Sequence, residues 1–252
     1  MKKTFVTLLS VLCALAAQAQ LCNLHKGTAL VYVVSDRETN EVRLDTAFVS
    51  DIASNGRQTI VEQSFCNRKA KAKDSIFDGQ DVIKFAYKAD GTTDRIVIDE
   101  EWGTGTMKTL RKELAAQGGI LPDEAEFEKE LDALAEREKG MIAIPLKRDA
   151  AKGETFPSAK YSLRAGFMKV GMEISKGKYE GTEKVTVPAG TFDCLKVSYR
   201  QKKSILYLPE TQCLTQWYAE GVGLVKEEVT DKKGKRLECS RTLLAVIPSE
   251  SR

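Results

Sequence analysis

Apolar and polar positions alternate along most of the chain in short runs, and clusters of turn-forming residues separate them. Residues 27–35 (GTALVYVVS) are apolar at successive positions, which predicts a central strand covered on both faces. In residues 42–52, Leu44, Thr46, Phe48 and Ser50 share one face of a second strand. Asn55-Gly56 then marks a tight hairpin, because both positions accept positive φ. The run 59–66 alternates Ile60, Glu62, Ser64 and Cys66 against Val61, Gln63 and Phe65. Residues 82–87 and 95–99 form another hairpin across Asp90-Gly91-Thr92. The basic stretch 68–73 between these hairpins reads as a solvated loop.

The period changes at about residue 104. Residues 106–117 have helical composition, and Pro122-Asp123 is a good helix start: proline is tolerated in the first turn and acids suit the dipole there. Phe127, Leu131 and Leu134 recur at i, i+4 and i+7, and Gly140 ends the stripe. This segment, 104–139, is too short to hold a core of its own, so it is a helical insertion in a β protein.

Strand patterning returns at Met141, with 145–158 read as a polar connection. Strands are predicted at 169–173, 183–187, 191–200, 205–208, 214–218, 223–230 and 237–247, the last two joined by Asp231-Lys232-Lys233-Gly234. The fold class is therefore mainly β (α+β): an antiparallel curved sheet, barrel-like or a sandwich, in one domain spanning 20–252.

The first nineteen residues stand apart. Lys2 and Lys3 precede an apolar stretch from Thr4 to Ala16, and Ala17-Gln18-Ala19 supplies the small residues that flank a signal-peptidase cut. The expectation is a cleaved signal peptide, 1–19, with the cut between Ala19 and Gln20, and a periplasmic or secreted product. The run is too short to be a transmembrane segment. A lipid anchor needs a cysteine behind a Leu-Ala-Gly-like triplet; Ala19-Gln20-Leu21 before Cys22 and Ser10-Val11-Leu12 before Cys13 do not fit.

Composition narrows the function. Apolar residues make up 42% of the 252 residues, ample for a core. The net charge of +3 falls by two when Lys2 and Lys3 leave, so the balance offers no case for a nucleic-acid or anionic-membrane binder. Cys22, Cys66, Cys194, Cys213 and Cys239 remain after Cys13 is removed, an odd number in a compartment that permits disulfides, and their pairing is open. Wide spacing and the lack of a C-x-x-C pair argue against zinc.

His25 is the only histidine and lies beside the new terminus, a poor place for a buried catalytic base. Asp99, Glu100 and Glu101 before Trp102 are the one carboxylate set that suggests a histidine-independent hydrolase, against the simpler reading of an exposed strand end. Residues 103–106 lack the lysine and spacing of a phosphate loop. Cys194 falls in a strand as a small hydrophobe, and Asp193 beside it disfavours a thiolate. No catalytic, metal or cofactor-binding residue is assigned.

Pro188-Ala189-Gly190 reads as a turn, and Gly221-Val222-Gly223 as a bulge or positive-φ corner beside Trp217 and Tyr218. The run 185–199 (VTVPAGTFDCLKVSY), with Pro188, Gly190 and Cys194, resembles a signature of the TapB-like family, exported proteins of Bacteroides-type bacteria. Residues 217–226 (WYAEGVGLVK), with Trp217, Tyr218, Gly221 and Gly223, resemble its second signature. Residues 24–28 and 232–235 are similar to its opening and closing segments, while 66–160 match poorly. The resemblance implies an antiparallel β fold and export; it carries no activity or cofactor to any residue. Two functions remain in front: an exported, non-enzymatic protein that binds an apolar or amphipathic ligand or another envelope protein, and a structural or protein-interaction module. A carboxylate hydrolase is the third.

Overall fold

A computed structural model describes residues 21–252 except 38, 55–58, 69–82, 90–93, 99–103, 105–106, 109–110, 112–113, 116–117, 119–120, 122, 136–140, 166, 206–207 and 250–252. The expected signal segment, the cut at Ala19 and Gln20, and the carboxylates Asp99 and Glu101 therefore lie outside the described residues.

Among the described residues, thirteen antiparallel strands form one sheet. The first half is a meander of β1 (Ala29–Asp36), β2 (Val42–Ser54), β3 (Thr59–Arg68), β4 (Ile83–Ala89), β5 (Asp94–Ile98) and β6 (Ile142–Leu146). The second contains β7 (Thr155–Phe156), β8 (Ala159–Ala165), β9 (Met168–Val187), β10 (Gly190–Ile205), β11 (Leu208–Ala219), β12 (Gly223–Thr230) and β13 (Leu237–Ile247). The spatial order is β6-β5-β4-β3-β2-β1-β13-β12-β11-β10-β9-β7, with β8 also on β9. The two meanders are joined where β1 pairs with β13, so β1 lies between two strands, as its doubly apolar sequence requires. Leu30, Tyr32 and Val34 are fully buried on one face, while Val31 and Val33 are half-buried on the other.

The sheet curls but does not close into a barrel. Its two ends approach one another where β6 lies against β8, and the Tyr179 hydroxyl of β9 donates to the Pro145 carbonyl of β6 at 3.1 Å. Pro145 is tolerated in β6 because, among the described residues, that strand pairs with β5 alone, and a missing N–H on its other side costs no ladder bond. Residues 145–158 are thus not a polar connection throughout: β6 runs into them and β7 lies inside them. The strand β8 carries no clear signal in the sequence.

Two expected strands, 169–173 and 183–187, are one strand of 20 residues, β9. The polar interruption between them is a bent region: Lys176 has φ 55°, and the register with β10 shifts twice nearby. Bulges bend a strand without ending it. The expected strand 205–208 is not one strand: β10 ends at Ile205, which lies opposite Leu208 at the start of β11.

The helix α1 (Glu124–Ala135) falls in the expected insertion, between the paired strands β5 and β6. Asp123 caps it, its carboxylate accepting the Ala125 N–H at 2.9 Å. Phe127 and Leu131 are each 1% exposed and face the core near β8. Before it, Thr104, Met107, Lys108, Arg111, Leu114 and Ala115 have helical backbone. Lys108 pairs with Glu128 at 2.8 Å and Arg111 stacks 5.0 Å from the Phe127 ring centre, which fastens this stretch to α1. Met107, Phe127 and Leu131 join Leu30, Tyr32, Leu163, Ile174 and Val197 in a single core on the concave side. Among the described residues no helix is long and apolar enough to cross a membrane.

Candidate functional site

The concave face changes character along the strands. Toward the end where β1 stops, one row of inward positions is polar. Arg241 of β13 pairs with Asp45 of β2 at 2.9 Å and with Glu227 of β12 at 3.6 Å. Arg43 reaches the other Asp45 oxygen at 3.3 Å. Gln216 of β11 donates to Glu227 at 2.6 Å and accepts from the hydroxyls of Tyr199 and Tyr218 at 3.1 and 2.8 Å. Burial, then the Glu227 charge, pushes the Tyr199 hydroxyl far above its usual range, so it stays protonated and donating. This chain ties β2, β10, β11, β12 and β13 together and sets the buried Arg241 guanidinium between two carboxylates.

The candidate site lies at the opposite end, where β1 begins. An open groove of about 740 Å³ is lined by Leu21, Arg148, Thr182, Glu183, Lys184, Thr191, Phe192, Asp193, Cys194, Leu195, Ala219 and Glu220. Pairing brings the lining together: Cys194 lies opposite Ala219 of β11 and Glu183 of β9, and Leu195 opposite Tyr218 and Thr182. Leu21 arrives from the segment before β1, which is held by Asn23 donating to the Gly221 carbonyl at 3.2 Å. Gly223 takes φ 100°, which L side chains rarely adopt, and this segment packs beside it: a Cβ there would make ordinary contact, 3.6 Å from the Cys22 Cα.

The floor is apolar and the mouth is ionic. Cys194 is fully buried, Leu195 and Ala219 nearly so. Burial, followed by the Asp193 and Glu183 carboxylates, pushes the Cys194 thiol up to about 11, so it stays protonated and is a poor nucleophile. At the mouth Lys184 pairs with Asp193 at 2.8 Å and Arg148 with Glu220 at 3.3 Å. Both are exposed pairs that open at little cost.

Trp217 stands behind one wall. In register it lies between Lys196 of β10 and Lys226 of β12, whose ammonium groups sit 4.9 and 4.8 Å from its ring centre. Its indole N–H donates to Glu183, which also takes Lys196 at 3.2 Å. The lysine stems cover the ring to 4% exposure on an otherwise polar face. The Trp217 hydrogen bond, with the two lysines, holds the Glu183 carboxyl below its ordinary range.

The residues singled out in the sequence gather at this end. Pro188 is exposed in the β9–β10 turn, Gly190 follows with φ 141°, and Gly221 in the β11–β12 turn has φ 67°. Cys194 lines the groove, Trp217 backs Glu183, and Tyr218 is buried one strand over from Leu195. His25 is exposed and its backbone N–H is taken by Asn23, while its side chain is not part of the lining. Sequence reasoning missed Leu21, Arg148, Thr182, Glu183, Lys184, Phe192 and Glu220. Phe192 and Glu220 lie inside the two signature runs and were within reach; Leu21 and Arg148 come from distant parts of the chain.

Two solved structures share the fold. One is a candidate lipoprotein from Parabacteroides distasonis, 16% identical, matched over 90% of this chain and 98% of that one with a TM-score of 0.60. The other is a candidate exported protein with a YmcC-like fold from Bacteroides fragilis, 14% identical over 90% and 99% of the two chains, with a TM-score of 0.57. At these identities the likeness is one of fold alone. No curated protein matches the chain. Residues 113–244, which contain α1, both signature runs and all of β6 to β12, match the DUF3108-like family. That is more than half of the sequence, and the chain belongs to the DUF3108-like family.

Proposed function

We propose that this is an exported, non-enzymatic envelope protein that binds an amphipathic ligand in the groove at the start of β1. The observation that carries the reading is the division of the groove: an apolar floor of Leu21, Phe192, Cys194, Leu195 and Ala219 beneath a mouth bearing Arg148, Lys184, Asp193 and Glu220. A volume of about 740 Å³ suits a single ligand with an apolar body and a polar head. The space enclosed by the sheet is a poorer candidate, because Met107, Phe127, Leu131 and the inward side chains of the strands fill it. Export is supported by the basic and apolar start of the sequence and by the two relatives in fold, which are described as a lipoprotein and an exported protein. Cys22 is fully buried with its backbone against Gly223, an unsuitable place for a lipid anchor.

An interaction module is the second reading. The mouth ions are already paired with one another, so an apolar side chain of another envelope protein fits the floor without a counter-ion.

The test is a fluorescence titration with the amphipathic dye anilinonaphthalene sulfonate. Thr191 is exposed and lines the groove, so Thr191→Trp fills it without entering the core. The proposal expects saturable binding that weakens at least about fivefold in the variant, a loss on the order of 1 kcal/mol. Equal titrations, or none in the unaltered protein, overturn it.

A further inference from the structure

Six large apolar side chains are exposed among the described residues, and five of them lie at one end of the sheet. Val42 is 56% exposed, Leu44 39%, Met141 53%, Phe167 46% and Leu208 77%. Only Leu24 is at the groove end. The register fixes the placement. Val42 lies opposite Ser35 near the end of β1, and Met141 precedes Ile142, which lies opposite Ile98 at the end of β5. Phe167 is in the turn between β8 and β9, and Leu208 opens β11 opposite Ile205, the end of β10. The strands β1, β5, β8 and β10 all run toward this rim. Phe167 and Leu208 occupy neighbouring hairpin tips, since Val170 of β9 pairs with Ile205.

The same rim is basic. Arg164 and Lys169 lie opposite each other across the β8–β9 hairpin, immediately behind Phe167. Lys202 and Lys203 stand on β10 below the Leu208 tip. The β12–β13 loop adds the exposed Lys232, Lys233 and Lys235. The loop's one acid, Asp231, is turned onto its backbone and accepts the N–H groups of Lys233 and Lys235 at 3.1 and 2.8 Å. Glu173 lies opposite Lys202 and Glu210 opposite Lys203, which offsets two of these cations, and Arg164, Lys169, Lys232, Lys233 and Lys235 leave a local positive excess that the near-neutral net charge of the whole chain conceals.

We propose that this rim docks on an anionic phospholipid bilayer, with Phe167 and Leu208 entering the boundary between headgroups and acyl chains and the surrounding lysines and arginines meeting lipid phosphates. The chemistry selects a bilayer over a protein partner. The apolar side chains are separate points between cations, not one continuous patch. A fluid surface accommodates such points individually, and anionic headgroups supply the complementary charge. Docking at this end leaves the groove facing away from the surface.

The test is co-sedimentation of the exported protein with vesicles of three parts phosphatidylethanolamine to one of phosphatidylglycerol, compared with phosphatidylcholine alone. The expected result is binding to the anionic vesicles about tenfold tighter than to the neutral ones, and weaker in high salt. The double variant Phe167→Asp/Leu208→Asp is expected to lose about tenfold or more, and Lys232→Gln/Lys233→Gln/Lys235→Gln to weaken binding and flatten its salt dependence. All five positions are solvent-facing, and an unchanged melting curve verifies that the variants fold. Equal binding to both vesicle types, absence of binding, or a double variant that sediments like the unaltered protein would each overturn the proposal.

Discussion

Replacing Gly177 with alanine tests the packing that lets β9 bend. Gly177 lies opposite Phe156 of β7, and the Phe156 ring rests directly over it. An alanine Cβ would fall inside the ring edge, against Cδ2, Cε2 and Cζ, so the ring must leave its place. Phe156 is 7% exposed and makes edge-on contacts with Tyr179 and Tyr199, with ring centres 5.5 and 6.4 Å away. Expelling it forfeits about 1.5–3 kcal/mol of burial. The two ring contacts add about 0.5–1.5 kcal/mol each. Gly177 does not use positive φ, so the alanine recovers about 0.4–1 kcal/mol through the unfolded chain. The net expectation is a destabilisation of about 1.5–5.5 kcal/mol, and a melting point lower by about 2–4 °C for each kcal/mol. Urea unfolding followed by circular dichroism measures it. Phe156→Ala alone is expected to cost about 3–5 kcal/mol. In Phe156→Ala/Gly177→Ala the ring is already gone, so the second substitution should add almost nothing. Additive costs, or a neutral Gly177→Ala, would refute the reasoning.

Three further outcomes follow from the same geometry. Arg241→Met keeps an apolar stem but leaves Asp45 and Glu227 without their shared cation; with Arg43 still beside Asp45, the cost in urea unfolding should be about 2–4 kcal/mol. Glu183 is held below its ordinary value of 4.5, so its contribution is present above that pH and disappears as pH falls through the folded-state value. In a Trp102→Phe background, Trp217 emission should therefore change below that pH, and Glu183→Gln, which keeps a neutral acceptor, should abolish the change. The Cys194 thiol, pushed up to about 11 and fully buried, should resist iodoacetamide at neutral pH while the half-buried Cys213 is alkylated, as read by peptide mass spectrometry; equal labelling would contradict the buried floor of the groove.

The mainly β class and most of the outer limits of the fold were legible because the periods were clean. The run 27–35 has no polar face and lies between two strands; 223–230 and 237–247 alternate between turns and coincide with β12 and β13. The stripe of Phe127 and Leu131 marked α1. Legibility ended where tertiary pairing overrode local pattern. Lys176, Lys178 and Glu180 interrupt the apolar alternation, yet the bulges in β9 carry its backbone past them with its ladder to β10 largely intact. Pro145 suggests a break, yet the open edge of β6 has no need of its N–H. Phe156 looks like a lone apolar residue in a polar stretch until Gly177 is found beneath it, 21 residues away. Cys194 was legible as a buried hydrophobe, but the groove it floors was not, since Leu21 and Arg148 reach it only through the fold. The basic rim was hidden for the same reason: Arg164, Lys203 and Lys233 are scattered in sequence and meet only because antiparallel hairpins return to one end.

The most direct test of the account is the native mass of the exported protein purified from its own envelope, recorded beside its denatured mass. The account predicts an excess mass in the native spectrum that vanishes on denaturation and is missing from Thr191→Trp. A native mass equal to the polypeptide alone, or an excess that Thr191→Trp retains in full, would contradict the assignment of the groove as a ligand site.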